Sequence, residues 1–202
     1  PCAFLPSLSL IEYPRMMRSN LKIVIAAMLV ALIATAAMAA PKVPKKPVAP
    51  KPVTGKAGQT GVVLNQSDFC IFLPPKAGGD IAENEDRAVA FCTKPNLPGA
   101  KAQVLPTGFI QSAHFVSNPS KGYVQVTGRI DRTKYSLKAS DGGGQYDIKA
   151  PVGAKCAGYN YFVQLTEPDA NIYCIRCCKT KSDCPVNKST YGCKSVLGGD
   201  YS

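Results

Sequence analysis

Short runs of apolar and β-branched residues, separated by turn-forming residues, recur through residues 59–202. The clearest run is residues 123–130, in which Val124 and Val126 alternate with Gln125 and Thr127. This period of two predicts a strand with its valines on one face and its polar side chains on the other. Further strands are predicted at residues 61–64, 69–73, 89–92, 108–116, 135–138, 146–148, 159–165 and 172–175.

Turns rich in glycine and proline separate these strands, for example at residues 118–119 and 142–144. Many short strands with such turns indicate a mainly β domain, either a small antiparallel sandwich or a barrel. Residues 79–90 favour at most one or two helical turns. The last part of the domain, residues 156–202, is predicted to form a cysteine-rich cap, in which the segment from Cys174 to Cys193 is loop-rich.

The first 39 residues are predicted to be removed from this domain. An apolar, alanine-rich run follows Arg18 and ends in Ala37-Met38-Ala39, which is the pattern of a secretory signal peptide. We therefore predict a signal at residues 16–39 and upstream translated sequence at residues 1–15. The alternative is a transmembrane anchor, but so much alanine makes a weak span, and no stable membrane insertion is expected after cleavage.

Residues 40–58 are predicted to form a disordered arm. Proline occurs at every third or fourth place and acidic residues are absent, so the segment cannot bury apolar surface and favours extended polyproline II. The arm is either a solvated spacer or a segment that binds polyanions. Its lysines are Lys42, Lys45, Lys46, Lys51 and Lys56.

The chain carries a formal net charge of +11, with 24 Lys and Arg against 13 Asp and Glu. Roughly half of the charge that remains after signal removal lies in the arm, so the domain itself is only weakly basic. The domain shows no recognised nucleic-acid-binding motif, and no nucleic-acid partner is predicted.

The domain contains an even set of eight cysteines, which in a secreted chain predicts four disulfides. Cys70 and Cys92, the two cysteines in the first half of the domain, are predicted to pair, and the other pairings stay open because spacing does not determine connectivity. Zinc at the Cys174-x-x-Cys177 spacing and a redox-active pair are the alternatives, but no metal site and no cofactor is predicted. The eight are Cys70, Cys92, Cys156, Cys174, Cys177, Cys178, Cys184 and Cys193.

Two sequons predict N-glycosylation at Asn65 and Asn187, which fits the same compartment. Tyr159 and Tyr161 are a possible sugar-binding platform, because a chain without tryptophan must build such a surface from tyrosine. The alternative is that both tyrosines are ordinary strand residues.

No catalytic residue is predicted. The single histidine, His114, has no local acid or nucleophile beside it and is interpreted as a polar strand residue. Carboxylates at Asp80, Glu83, Glu85 and Asp86 could serve a hydrolase or hold Ca²⁺, although a solvated turn explains them more simply. Asp131 is interpreted as the acidic partner of a cross-strand ion pair.

Several sequence blocks form an ordered series that resembles a family of fungal secreted glycoproteins, the macrophage-activating glycoproteins. The blocks are Asp68–Pro75, Ala90–Pro95, and residues 112–115 with YVQVTGRID at residues 123–131 and Lys134. The resemblance covers residues 67–147 and implies a secreted, wall-associated or released β-rich protein without an established catalytic site.

The sequence therefore favours a secreted, non-enzymatic glycoprotein of the medium or cell wall, with a cell-wall polysaccharide, a host polysaccharide or a host protein as its partner. The alternatives are a small extracellular hydrolase that uses carboxylates and a secreted effector or inhibitor of a host protein.

Overall fold

The structure is a computed structural model, and it describes residues 59–202. The predicted signal peptide, the sequence upstream of it and the arm with its five lysines all lie outside the described residues. The strands are β1 (Thr60–Gly61), β2 (Cys70–Leu73), β3 (Val89–Cys92), β4 (Gln103–Val104), β5 (His114–Asn118), β6 (Tyr123–Arg129), β7 (Gly144–Asp147), β8 (Lys155–Cys156), β9 (Tyr161–Glu167) and β10 (Ile172–Cys178).

Helical structure in residues 59–202 is short. Gly192–Val196 forms an α-helix, α1, near the end of the chain. Single 3-10 turns occur at Ala82–Asn84, Arg132–Tyr135, Lys181–Asp183 and Ser189–Tyr191. The mainly β domain that the pattern of apolar residues predicts is therefore confirmed.

A five-stranded antiparallel sheet in the order β5-β6-β10-β9-β7 is the centre of the domain. All seven residues of β10 pair with both β6 and β9. Because successive side chains alternate between the two faces of a strand, β10 contributes to the layers on both sides. We call the face that carries Val126, Phe162 and Ile175 the inner face, and the opposite one the outer face.

The smaller sheet, β2-β3-β4, contributes to the hydrophobic core against the inner face. Phe72 of β2 stacks on Phe162 of β9 with a distance of 4.9 Å between ring centroids. Phe69 stacks in the same way on Tyr173 of β10. These contacts give the sandwich its main core, and burying such aromatic rings stabilises the fold by roughly 25 cal/mol per Å² of apolar surface.

The outer face is covered by the chain that follows β10, residues 179–202, which we call the cap. Leu165 and Cys174 of the sheet form a second apolar cluster with Val196 and Leu197 of the cap. The alternation predicted for β6 is confirmed, since Val124 and Val126 belong to the main core. Gln125 and Thr127 of the same strand are also buried, at 3% and 1% exposure, because the cap covers their face.

The predicted cysteine-rich region, residues 156–202, includes two strands that the apolar pattern predicts. The runs predicted at residues 159–165 and 172–175 correspond to β9 and β10, which are interior strands of the large sheet. The second strand extends to Cys178, because cysteine packs as a small apolar residue. The irregular, disulfide-bonded part begins after Cys178.

Two strand predictions differ from the structure, and two short strands were not predicted. The strand predicted at residues 135–138 is instead the end of a 3-10 turn, which begins where the Asp131 side chain accepts a hydrogen bond from Thr133 N. The strand predicted at residues 108–116 starts only at His114. The two-residue strands β4 and β8 were missed because an alternating pattern needs more positions; both lie in parallel pairs, with β3 and β1 respectively.

Candidate functional site

Disulfides join the central strand to the layers on both sides of the sheet. Cys177 and Cys178 are adjacent on β10 and therefore point to opposite faces. Cys177 bonds Cys156 of β8, and Cys178 bonds Cys184 of the cap. A third bond, between Cys174 and Cys193, fixes α1 to the same strand. The cap is thus attached covalently to β10 at two positions, Cys174 and Cys178.

The remaining disulfide is the predicted one, between Cys70 of β2 and Cys92 of β3. These residues are directly opposite each other in the antiparallel pair. All eight cysteines of the domain are bonded, and the expectation of four disulfides is confirmed. Within residues 59–202, no group of three or more His, Cys, Asp or Glu side chains could hold a metal ion.

Arg176 fixes the cap by hydrogen bonding. It lies on the outer face of β10, where its guanidinium donates to the backbone oxygens of Asp183 and Leu197, both at 3.0 Å. The same group makes two hydrogen bonds to Gln125 Oε1 and lies 4.3 Å from the centroid of the Tyr123 ring. Burial lowers the pKa of Arg176 from its ordinary value, yet such a group remains charged, and its donors are satisfied by neutral acceptors.

The structure shows a cleft between the cap and the edge of the large sheet, which we call the Glu167 cleft. Its volume is about 500 Å³, within the range of small-ligand sites. The turn before β7, the end of β9 and the start of α1 form its walls. The lining residues are Gly142, Gly143, Gly144, Leu165, Glu167, Ser189, Thr190, Tyr191 and Gly192.

Glu167 is the charged residue that lines this cleft. Its Oε1 accepts a hydrogen bond of 2.6 Å from Cys193 N at the start of α1, while no group within residues 59–202 donates a hydrogen bond to Oε2. Burial is the largest influence on this carboxyl and raises its pKa above the ordinary value of 4.5. The Cys193 N–H and Lys194 oppose that shift, and the charge of Asp169 adds to it.

Two glycines of the cleft stand where a side chain would not fit. Gly143 has φ of +91°, and a Cβ atom there would overlap the backbone oxygen of Thr166. Gly192 has φ of +73°, and a Cβ atom would lie 2.9 Å from Glu167 Oε2. Both conformations are ones that glycine adopts readily and other residues rarely do. The glycine run that the sequence marks as a turn is therefore also a wall of the cleft.

Two other cavities lie near charged side chains. The first, of about 620 Å³, is next to the cap and includes Lys149, Lys181 and Asn187 in its lining. The second, of about 270 Å³, includes Arg129 and Arg132. Both cavities carry basic groups, in contrast to the Glu167 cleft.

Tyr159 and Tyr161, the predicted sugar platform, pack against two different apolar clusters. Tyr159 packs against the main core and Tyr161 against the cluster under the cap. Both are only partly exposed. By contrast, Tyr191 of the Glu167 cleft keeps 65% of its surface exposed. Whether Tyr159 or Tyr161 contacts sugar stays a prediction.

Three other tyrosines are core residues. Tyr135, Tyr146 and Tyr173 are at most 1% exposed. Their hydroxyls donate hydrogen bonds to backbone oxygens, of Pro74, Ile81 and Ser112 respectively. Burial raises the pKa of all three phenols.

The carboxylates considered for hydrolysis take part in local turns. Asp80 Oδ1 accepts a hydrogen bond from Glu83 N, and Asp86 forms an ion pair of 3.3 Å with Arg87. Asp131 forms its ion pair, at 3.8 Å, with Lys134 of the same 3-10 turn. That contact is local in sequence and not the cross-strand pair expected for Asp131.

His114 has acidic and hydroxyl neighbours that sequence reasoning missed. Asp200 Oδ2 lies 3.4 Å from His114 Nδ1, and Ser202 Oγ lies 3.4 Å from Nε2. Asp200 Oδ1 accepts a hydrogen bond from Ser202 N, and the Asp200 backbone oxygen accepts one from Thr127. The three groups thus attach the final residues to β5 and β6, a contact across 88 positions that no local pattern reveals.

The two glycosylation candidates are exposed. Asn65 lies in a turn, where its Oδ1 accepts hydrogen bonds from Ser67 N and Asp68 N. Asn187 lies in the cap, and its sequon includes Ser189 of the Glu167 cleft. Glycosylation at both positions stays a prediction. Among residues 59–202, no helix is both apolar enough and long enough to cross a membrane.

These observations define a mainly β, disulfide-bonded protein whose sheet is covered on both faces. Appressorium protein ROW2 of Mycosarcoma maydis is 32% identical to the chain over 158 residues, covering 68% of the chain and 53% of that protein. Appressorium protein ROW1 of the same fungus is 28% identical over 162 residues, covering 71% of the chain and 37% of that protein. The chain therefore spans about half of ROW2 and less of ROW1. No family model and no solved structure matches it.

Proposed function

We propose that the protein is secreted and acts without catalysis at the fungal cell surface or in the cell wall, where its domain binds polysaccharide or a host molecule. The observation that carries this proposal is the covalent attachment of the cap to the central strand by two disulfides. Such bonds persist in oxidising, extracellular environments. The similarity to two appressorium proteins supports a role where a fungus meets its host.

The resemblance to the macrophage-activating glycoproteins belongs to the same proposal. It rests on the blocks around Cys70, Cys92 and residues 123–131, which in the structure are β2, β3 and β6. These strands form the scaffold of the domain. The proposed binding function therefore depends on surface residues outside those blocks.

The experiment is fractionation of a fungal culture that expresses the full chain, with detection by an antibody against the domain. We expect the protein in the medium or in the wall extract, beginning near Ala40. Alkylation without prior reduction should leave the eight domain cysteines unmodified. Recovery mainly from the cytosol, with cysteines that alkylate, would contradict the proposal.

The arm is proposed to add salt-sensitive retention on anionic wall material. Exposed charges are screened over about 8 Å at physiological salt, so added NaCl should release protein that the arm holds. Replacing the five arm lysines by serine should abolish most of this retention. Equal retention of the substituted protein would leave the arm as a spacer.

A further inference from the structure

We infer that the Glu167 cleft binds a neutral glycan, a chain of uncharged sugar units. The inference rests on the proposed function and names the class of its partner. It replaces the predicted platform of Tyr159 and Tyr161 by a different surface, in which Tyr191 is the aromatic contact.

The charge of the cleft selects against anionic ligands. Glu167 is the only ionisable acid or base among the lining residues other than the phenol of Tyr191. A carboxylate in a half-buried position repels phosphates, sulfates and uronic acids, and it accepts hydrogen bonds from hydroxyl groups. The cavity lined by Lys149 and Lys181 has the opposite character, and the cavity lined by Arg129 and Arg132 has a mixed one because Asp131 also lines it.

The polar atoms of the cleft match the hydroxyl groups of a sugar. Within residues 59–202, no protein hydrogen bond engages the hydroxyls of Ser189, Thr190 and Tyr191, nor does one reach Glu167 Oε2. Hydroxyls both donate and accept, and a carboxylate accepts. A polyol, which carries donors and acceptors on every unit, can satisfy all four groups.

The exposed ring of Tyr191 and the glycines that line the cleft give it a shape that can accommodate a sugar ring. Tyr191 is 65% exposed on a domain whose other large aromatic rings are mostly buried, and a flat ring can stack on the C–H face of a sugar ring. Gly142, which lines the same cleft, has no atom within 4 Å of the position a Cβ would take. A ligand can therefore approach the backbone there without displacing a side chain.

Glu167 also connects the cleft to the cap. Its Oε1 holds the first turn of α1 through Cys193 N, and Cys193 is bonded to Cys174 of β10. The carboxylate is therefore fixed in place before a ligand arrives. Such pre-organisation reduces the entropy lost on binding.

The test is calorimetric titration of the full secreted protein with three probes. Laminarihexaose and hexa-N-acetylchitohexaose are neutral hexasaccharides, and oligogalacturonate is an anionic oligosaccharide. The titrated protein carries serine at the five arm lysines, which removes the proposed polyanion contact, and we expect it to bind at least one neutral probe and not oligogalacturonate. Tyr191→Ala should weaken binding about tenfold, the size expected for loss of one aromatic contact. Glu167→Gln keeps the acceptor for Cys193 N but loses the charge, and should weaken binding about fivefold.

Two matched variants serve as controls. Tyr161→Ala removes a tyrosine of the predicted platform that does not line the cleft, and it should leave affinity unchanged. Asn187→Gln removes the neighbouring sequon while preserving Ser189, so it separates the cleft from a glycan attached to the protein. Near-ultraviolet circular dichroism of each variant checks that the fold is retained.

The outcomes separate this inference from the function on which it rests. Loss of binding in Tyr161→Ala but not in Tyr191→Ala would contradict the assignment of the sugar site to the Glu167 cleft. It would instead support the predicted platform of Tyr159 and Tyr161. If the protein with serine at the five arm lysines binds neither neutral probe, or prefers oligogalacturonate, the inference is overturned, while wall retention of the parent still supports the proposed function. Cleavage of a probe by the parent but not by Glu167→Gln would contradict the non-enzymatic function and keep the cleft as the sugar site.

Discussion

Gln164 and Phe72 exchange two hydrogen bonds across the core of the sandwich. Phe72 N donates to Gln164 Oε1 at 2.6 Å, and Gln164 Nε2 donates to the Phe72 backbone oxygen at 2.7 Å. The two residues are 92 positions apart, and both are fully buried. The side-chain amide of β9 thereby satisfies a backbone donor and acceptor of β2, as a neighbouring strand would.

Loss of this amide is expected to destabilise the domain. Gln164→Leu preserves much of the volume but leaves Phe72 N and its carbonyl oxygen without these partners. Each unsatisfied buried group costs about 1 to 3 kcal/mol, so the free energy of unfolding should fall by about 3 kcal/mol. Urea unfolding with the disulfides intact measures the change.

The exposed residue Gln111 provides the matched control. Gln111→Leu should change the free energy of unfolding by less than about 0.5 kcal/mol. If the two leucine variants were equally stable, Gln164 would not be a structural link between the sheets.

Arg176→Met is expected to loosen the cap without unfolding the sandwich. The substitution keeps an apolar chain beside Tyr123 but removes the donors to Asp183 and Leu197. Backbone exchange in the cap should therefore accelerate, while the β2–β3 pair should keep its protection. Hydrogen exchange measured by mass spectrometry tests this, with Arg129→Met as the exposed control. Uniform acceleration over the whole domain would contradict a local role.

The two outer-face disulfides should differ in the stability that they provide. Cys174 and Cys193 are 19 positions apart, whereas Cys178 and Cys184 are 6 apart. A longer loop loses more entropy on closure, which gives roughly 3 kcal/mol for the first bond and roughly 2 kcal/mol for the second. Paired alanine variants should therefore differ by about 1 kcal/mol in unfolding free energy. The reverse order would show that local contacts outweigh loop length.

Glu167 should make the stability of the domain depend on pH. Burial raises its pKa in the folded state above 4.5, so between 4.5 and that raised value the folded protein holds more protons than the unfolded one. The unfolding free energy contributed by this group therefore falls as pH rises through that window. In Glu167→Gln this dependence is absent.

Unfolding of parent and Glu167→Gln over a pH series tests that sign. The advantage of the parent over the variant should be largest at pH below 4.5 and smallest at neutral pH. A difference that stays constant, or that grows with pH, would contradict a raised pKa.

The strands with clear alternation were predictable from the sequence, and the layers above them were not. The alternating pattern at residues 123–130 correctly separates Val126 from Gln125. It cannot show that a cap covers Gln125, because the covering residues lie far along the chain. The two-residue strand at Gln103–Val104 is too short for any periodic signal and depends on its neighbour β3.

The cleft was harder to predict than the fold. The glycines at residues 142–144 were identified only as a turn, because local sequence shows neither that Tyr191 lines the same cleft nor that Glu167 is half-buried there. The aromatic residues with the strongest strand pattern are core residues. The exposed Tyr191 lies in a segment without a regular pattern. The strand pattern therefore favoured Tyr159 and Tyr161 as the possible sugar-binding platform.

The native disulfides of the adjacent residues Cys177 and Cys178 depend on the register of β10 in the large sheet. A slip of one position along the sheet would reverse the faces of all its side chains. Cys177 would then point towards Cys184, and Cys178 towards Cys156. Neither native bond could close without moving a whole layer. A slipped strand would instead favour the exchanged pairs Cys177–Cys184 and Cys156–Cys178, so the connectivity of these two bonds reports the register of β10.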